Sequence, residues 1–147
     1  MDRVLELIQE LAVFEKEPEA VEITVDDLLT AGFGSPKKMT CFVAEDDGKV
    51  EGIALVYDRF STWKGRVIHL EDLIVNTKMR GKGFGTKLLD AVIKYAYEEG
   101  VKRVSWEVLD WNTPAIDFYE NKGAHVMRDW HVVQLDQKGI ENYISKL

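Results

Sequence analysis

Cysteine is nearly missing from this chain: Cys41 is the only one in 147 residues. That excludes a disulfide framework and a cysteine-ligated metal, and it suits a reducing, cytoplasmic setting. No recognised motif pairs Cys41 with a histidine, so it reads as a core residue. The three histidines, His69, His125 and His131, have no metal-ligand spacing, and no metal is expected. Long apolar runs are missing too. None approaches the roughly 18–20 residues of a membrane span, and acids run through "MDRVLELIQELAVFEKEPE", which is unlike a secretory leader. A surplus of positive charge is also lacking. The net charge of −7 argues against a general nucleic-acid binder and weakly favours cationic partners. With no linker, repeat or low-complexity stretch, residues 1–147 read as one domain of ordinary composition.

What is present is an alternation of helical and extended patterns. Leu5, Ile8, Leu11 and Ala12 have helical spacing, predicting a first helix over 2 to about 16, closed by Pro18. Thr24 with Asp27 predicts a capped short helix ending at Gly32. "TCFVAE" and "VEGIALVY" flank Asp47-Gly48, a hairpin signal. "STWKG" is a second connection, followed by a long central strand, "RVIHLEDLIV". Leu88, Leu89, Val92, Ile93 and Ala96 form a helical stripe running to Gly100. "RVSWEVL" reads as a strand, "TPAIDFYENKG" as a short helix, "HVMRDWHVVQLD" as two short strands and "KGIENYISKL" as a final helix. The result is an α/β domain with a mixed sheet, in which 66–109 forms a strand–helix–strand crossover.

The central strand meets its helix through "KMRGKGFGTK". Glycines at 81, 83 and 85 let the backbone curl without a Cβ in the way. The helix start leaves amides unsatisfied and adds about half a positive charge, and Lys78, Arg80, Lys82 and Lys87 add more. Such a junction suits a phosphate or diphosphate. It fails the dinucleotide pattern G-x-G-x-x-G, because the spacing is G-x-G-x-G, and it fails the triphosphate loop pattern. A flexible surface turn with solvated charges is the alternative.

Two further positions bear on chemistry. Alternation along the strand places Val67, His69, Glu71, Leu73 and Val75 on one face, with Asp72 on the other. A carboxylate inside a sheet is costly unless paired or used, so Glu71 is either an ion-pair partner or a reacting group. In the short helix, Thr113 suits the cap and Pro114 the first position, so Ala115, Phe118, Tyr119 and Lys122 share a face. On spacing alone Tyr119 is a packing residue.

"RGKGFG", Arg80 to Gly85, resembles the R/Q-x-x-G-x-G/A signature of the GNAT superfamily of acetyl-CoA-dependent N-acetyltransferases. "LEDLIV", "STWKGRVIHLEDL", "DWNTPAIDFYENKGA" and "ELAVFEKEPEAVEITVDDLLTAGFG" are similar to the spermidine/spermine (diamine) and thialysine acetyltransferases. The likeness extends over nearly the whole chain. It implies a twisted mixed sheet flanked by helices. Relatives usually place a strand before the first helix, whereas this sequence starts at the helix; either the start has been trimmed or mis-assigned, or the fold dispenses with that edge strand.

The resemblance also implies roles. The amides of Arg80, Gly81, Lys82, Gly83, Phe84, Gly85 and Thr86 would hold the pyrophosphate of acetyl-CoA. The main chain of Leu73, Ile74 and Val75, together with Asn112, would meet its pantetheine arm, with Ala115 and Lys122 beside it. Glu71 would act as general base, through water, and Tyr119 would protonate the leaving thiolate. Glu15, Trp63, Glu71 and Asp72 would face a small cationic amine, Trp63 as an aromatic wall. Trp106, Glu107 and Asp129 fit a surface or core role better. The family implies a homodimer. Two other readings stay open: acetylation of a protein amine, and a non-catalytic acyl-CoA-binding module.

Overall fold

The computed structural model describes residues 1–147 as two compact units, Met1–Glu107 and Val108–Leu147. The first unit opens with helices α1 (Asp2–Phe14) and α2 (Val25–Phe33). Thr24 and Asp27 form the expected capping box, each side chain taking up the other's backbone amide. The helix runs past Gly32 and stops at Gly34, two residues later than expected.

Strands β1 (Thr40–Asp46), β2 (Lys49–Ser61), β3 (Gly65–Val75) and β4 (Val104–Ser105) make one sheet in the order β1-β2-β3-β4. The first two pairings are antiparallel and β3–β4 is parallel, the mixed arrangement expected. Asp47 and Gly48 turn the first hairpin with positive φ angles of 49° and 72°. β4 is shorter than "RVSWEVL" suggested, because only Val104 and Ser105 find partners, Ile68 and His69. From Leu70 onward β3 therefore has no strand on that side.

One face of the sheet carries α1 and α2. Val4, Leu7, Leu28, Met39, Ile53, Leu55 and Ile74 form its core; Leu7 and Ile53 are fully buried, each stabilising by about 2 kcal/mol. The other face carries α3 (Phe84–Glu98), which buries Leu88, Leu89, Val92 and Ala96. Ile93 is exposed, contrary to the stripe reading: it sits about 100° round the helix from Val92, on the flank. Gly52 lets α3 close on the sheet, since a Cβ there would stand 3.1 Å from the Leu88 side chain and 3.0 Å from the Ile74 carbonyl.

The strand register corrects the simple alternation along β3. Leu55 pairs with Asp72 and Val56 with Leu70, so Glu71 is an extra residue, a β-bulge. Beyond it the faces exchange. Asp72 and Ile74 lie with Leu55 and Ile53, while Leu73 and Val75 join Ala54 and Gly52 on the α3 side.

The second unit holds α4 (Thr113–Asn121) and α5 (Gln137–Ile144). No strand forms over 125–136, although two were expected. Its apolar alternation finds no partner strand, and extended backbone without a partner is not a sheet. No helix in the structure is long and apolar enough to cross a membrane.

Candidate active site

The glycine junction is built as its composition suggested. Asn76 anchors its approach: its amide donates to the Glu51 carbonyl (2.7 Å), its Nδ2 to the Glu51 carboxylate (2.6 Å), and its Oδ1 accepts from the Lys78 amide. A single 3-10 turn, Thr77–Met79, follows. Gly83 then caps α3 with φ 83°, a left-handed conformation that glycine adopts without penalty.

Every amide from Gly81 to Thr86 lacks a protein acceptor; the first bond into α3 is Lys87 N to the Gly83 carbonyl, 3.1 Å. Of the surrounding cations, none of Lys78, Arg80, Lys82 and Lys87 is paired with a carboxylate. The Arg80 guanidinium lies over the Phe14 ring at 5.2 Å, and its Nε donates to the Val75 carbonyl at 3.4 Å. Lys87 stands 5.8 Å from the Phe84 ring. The chemistry present is a helix start with free N–H donors and unneutralised positive charge, which fits a diphosphate. The free edge of β3 at Leu73–Val75 leads directly into it.

On the opposite face, the bulge gathers carboxylates. Burial pushes Asp72 up to about 6, and the charges of Glu71 and Glu15 push the same way. Partial burial raises Glu15 as well. Glu71 is half-exposed and has company: His69 Nε2 lies 3.6 Å from its Oε2, and the Tyr57 hydroxyl is near enough to feel its charge. Burial, then the Glu71 charge, raises the Tyr57 hydroxyl. Burial, then Asp72, pushes the Cys41 thiol up to about 11, which keeps it protonated and a poor nucleophile. Asp72 itself has no cation or hydrogen-bond donor against it. A recessed, unpaired carboxylate of this kind suits an incoming ammonium group.

The structure thus brings Glu15, Glu71 and Asp72 together. Trp63 is elsewhere in its hairpin: it is exposed in the turn that Ser61 and Gly65 close, six residues from Glu71 along β3, or about 20 Å. Alternation already set His69 on the face of Glu71 but gave it no role; Tyr57 was missed because only the strand register, invisible in one sequence, sets it beside them. No cluster of metal-ligating side chains is present.

The second unit carries the remaining candidates. Asn112, not Thr113, caps α4; its Oδ1 accepts from the Ala115 amide at 3.4 Å. Its side-chain amide is left to donate elsewhere. Tyr119 is half-buried with its ring 5.4 Å from Phe118, and Lys122 lies 6.0 Å from that same Phe118 ring.

A model of the acetyltransferase (GNAT) family matches residues 1–124. Thialysine N-epsilon-acetyltransferase of Bos taurus is 35% identical, covering 97% of this chain and 91% of that protein. Spermidine/spermine N(1)-acetyltransferase-like protein 1 of Homo sapiens is 31% identical over 92% of this chain, which spans 21% of that longer protein. Among solved structures, an integron cassette protein from the mobile metagenome of V. cholerae has a TM-score of 0.74 at 24% identity, covering 94% of this chain and 86% of that one. That likeness supports the fold, and the family match confirms the resemblance carried by Arg80–Gly85.

Proposed function

Since this chain belongs to the GNAT family of acetyltransferases and is an N-acetyltransferase, we propose that it moves an acetyl group from acetyl-CoA to a small basic amine. Polyamines, diamines and thialysine-like amino acids are the leading acceptors. The observation that carries this reading is the unbroken run of free amides from Gly81 to Thr86, set at the start of α3 among unpaired cations. Those amides would hold the diphosphate. The main chain of Leu73, Ile74 and Val75 would align the pantetheine arm, to which the family resemblance also assigns Asn112, Ala115 and Lys122.

The acceptor's difficulty is its proton. An alkylamine with a pKa near 10.4 is neutral in only about one part in 2,500 at pH 7, a cost of roughly 4–5 kcal/mol to the attack. Glu15 and Asp72 would draw in the cation, and Glu71 would take its proton, directly or through water. The freed nitrogen attacks the thioester carbonyl, which backbone amides of β3 polarise. As the C–S bond breaks, Tyr119 gives its phenolic proton to the departing sulfur. The acylated nitrogen sheds its second proton to solvent, amide and free thiol leave, and the proton held on Glu71 restores the tyrosine by way of solvent.

The assembly that goes with this reading is a homodimer in a cytoplasmic setting. Its support lies in the second unit, where Trp130, Val132, Val133 and Leu135 are exposed. A thiol-release assay with acetyl-CoA and spermidine, thialysine or a lysine-containing peptide tests the proposal. Turnover is expected with a small amine and little with the peptide. Turnover of the peptide alone would make the protein-directed reading correct, and cofactor binding with no turnover of any amine would reduce the chain to a binding module.

A further inference from the structure

His69 is the one buried polar side chain in the core, 7% exposed, and the reaction proposed above gives it no task. It is held on three sides. Its Nδ1 lies 3.3 Å from Ser105 Oγ on β4, its Nε2 lies 3.6 Å from Glu71 Oε2, and its ring is 5.2 Å from the Tyr57 ring on β2. A carboxylate only accepts, so in the neutral ring the nitrogen facing Glu71 carries the proton, and the Ser105 hydroxyl donates to Nδ1. The 3.6 Å separation is longer than a hydrogen bond; it is an electrostatic contact. Tyr57, paired with His69 across the strands, brings its hydroxyl near enough to the same carboxylate for the Glu71 charge to act on it.

These contacts matter because of where Glu71 sits. As the extra residue of a bulge, its side chain is not fixed by a cross-strand neighbour as a regularly paired residue would be. It is also half-exposed, with 51% of the side chain open to solvent. Something other than sheet register must aim it.

Resting on the reading of Glu71 as proton acceptor, we propose that His69 and Tyr57 are positioning residues, a two-sided clamp that aims the Glu71 carboxylate at the acceptor amine. Ser105 sets the clamp by fixing which imidazole nitrogen carries hydrogen. Neither residue reacts. Each supplies one N–H or O–H donor to a carboxylate that would otherwise turn into solvent, so the cost of orienting it is met in the fold and not during the reaction.

The test is a cycle of variants assayed with saturating acetyl-CoA and whichever of spermidine or thialysine is turned over faster. His69→Phe keeps a buried ring and removes the donor; His69→Gln keeps an N–H near the Nε2 position. On the parent, His69→Phe is expected to lower kcat about ten-fold while the KM for amine moves little, and His69→Gln is expected to recover most of the loss. On a Glu71→Gln background, His69→Phe should cost nothing further, because its effect passes through that carboxylate. An equal loss on both backgrounds, or His69→Gln as slow as His69→Phe, overturns the clamp. Should His69→Phe not fold, Tyr57→Phe removes the other donor at a half-buried position and carries the same two-background prediction. A Glu71→Gln enzyme as fast as the parent would reject the base assignment itself, and the clamp with it.

Discussion

Glu71 and Asp72 are adjacent, both acidic, and placed in different surroundings by one irregularity in a strand. Asp72 is recessed and lifted to about 6 by burial first and by Glu71 and Glu15 second. A raised carboxylate favours the fold while protonated, so the stability it lends is complete below its unfolded value near 4 and is lost as the pH rises through about 6. Asp72→Asn should therefore be more stable than the parent at pH 8, by about 3 kcal/mol, with the advantage gone at pH 4; thermal melts across that range check it. For the reaction, Glu71→Gln and Tyr119→Phe are each expected to slow turnover by roughly ten-fold or more, measured as kcat by thiol release. Unchanged rates in both would discredit the two roles. Sequence showed that Glu71 was a costly carboxylate in a strand, but it assigned Asp72 to the wrong face. Alternation assumes an unbroken pleat, and a bulge depends on the partner strand, which a single segment does not display.

At the level of elements, the junction between β3 and α3 was the most legible part of the chain. Glycine spacing and local charge are both written in neighbouring residues, and the backbone they require is local too. Gly83→Ala is expected to lose about 1 kcal/mol of stability through its left-handed φ, read from chemical denaturation, and to weaken coenzyme A binding several-fold as the following amides turn away. Thr24→Ala should cost about 1 kcal/mol by opening the capping box of α2 while leaving coenzyme A affinity unchanged. Elements that depend on distant partners were read less well. The run 125–136 has a strand's alternation and no strand beside it, and β4 is cut to Val104–Ser105 because its pairing with β3 stops at His69. That early stop is what leaves the edge of β3 free, a feature no local pattern announces.

For the whole molecule, composition and the order of elements were enough to indicate a mixed sheet flanked by helices, because each hairpin and crossover carries its own local signal. Assembly was implied only by resemblance. If the exposed Trp130, Val132, Val133 and Leu135 are covered in a homodimer, sedimentation will give twice the chain mass, and charged substitutions at Val132 and Val133 will return a single chain. The central claim is that unpartnered main-chain donors from Gly81 to Thr86 grip a diphosphate. Isothermal titration with coenzyme A, alongside pantetheine, which lacks that group, tests it most directly. Saturable heat with coenzyme A and none with pantetheine is the predicted result; no heat with coenzyme A, or equal affinity for both, would contradict it.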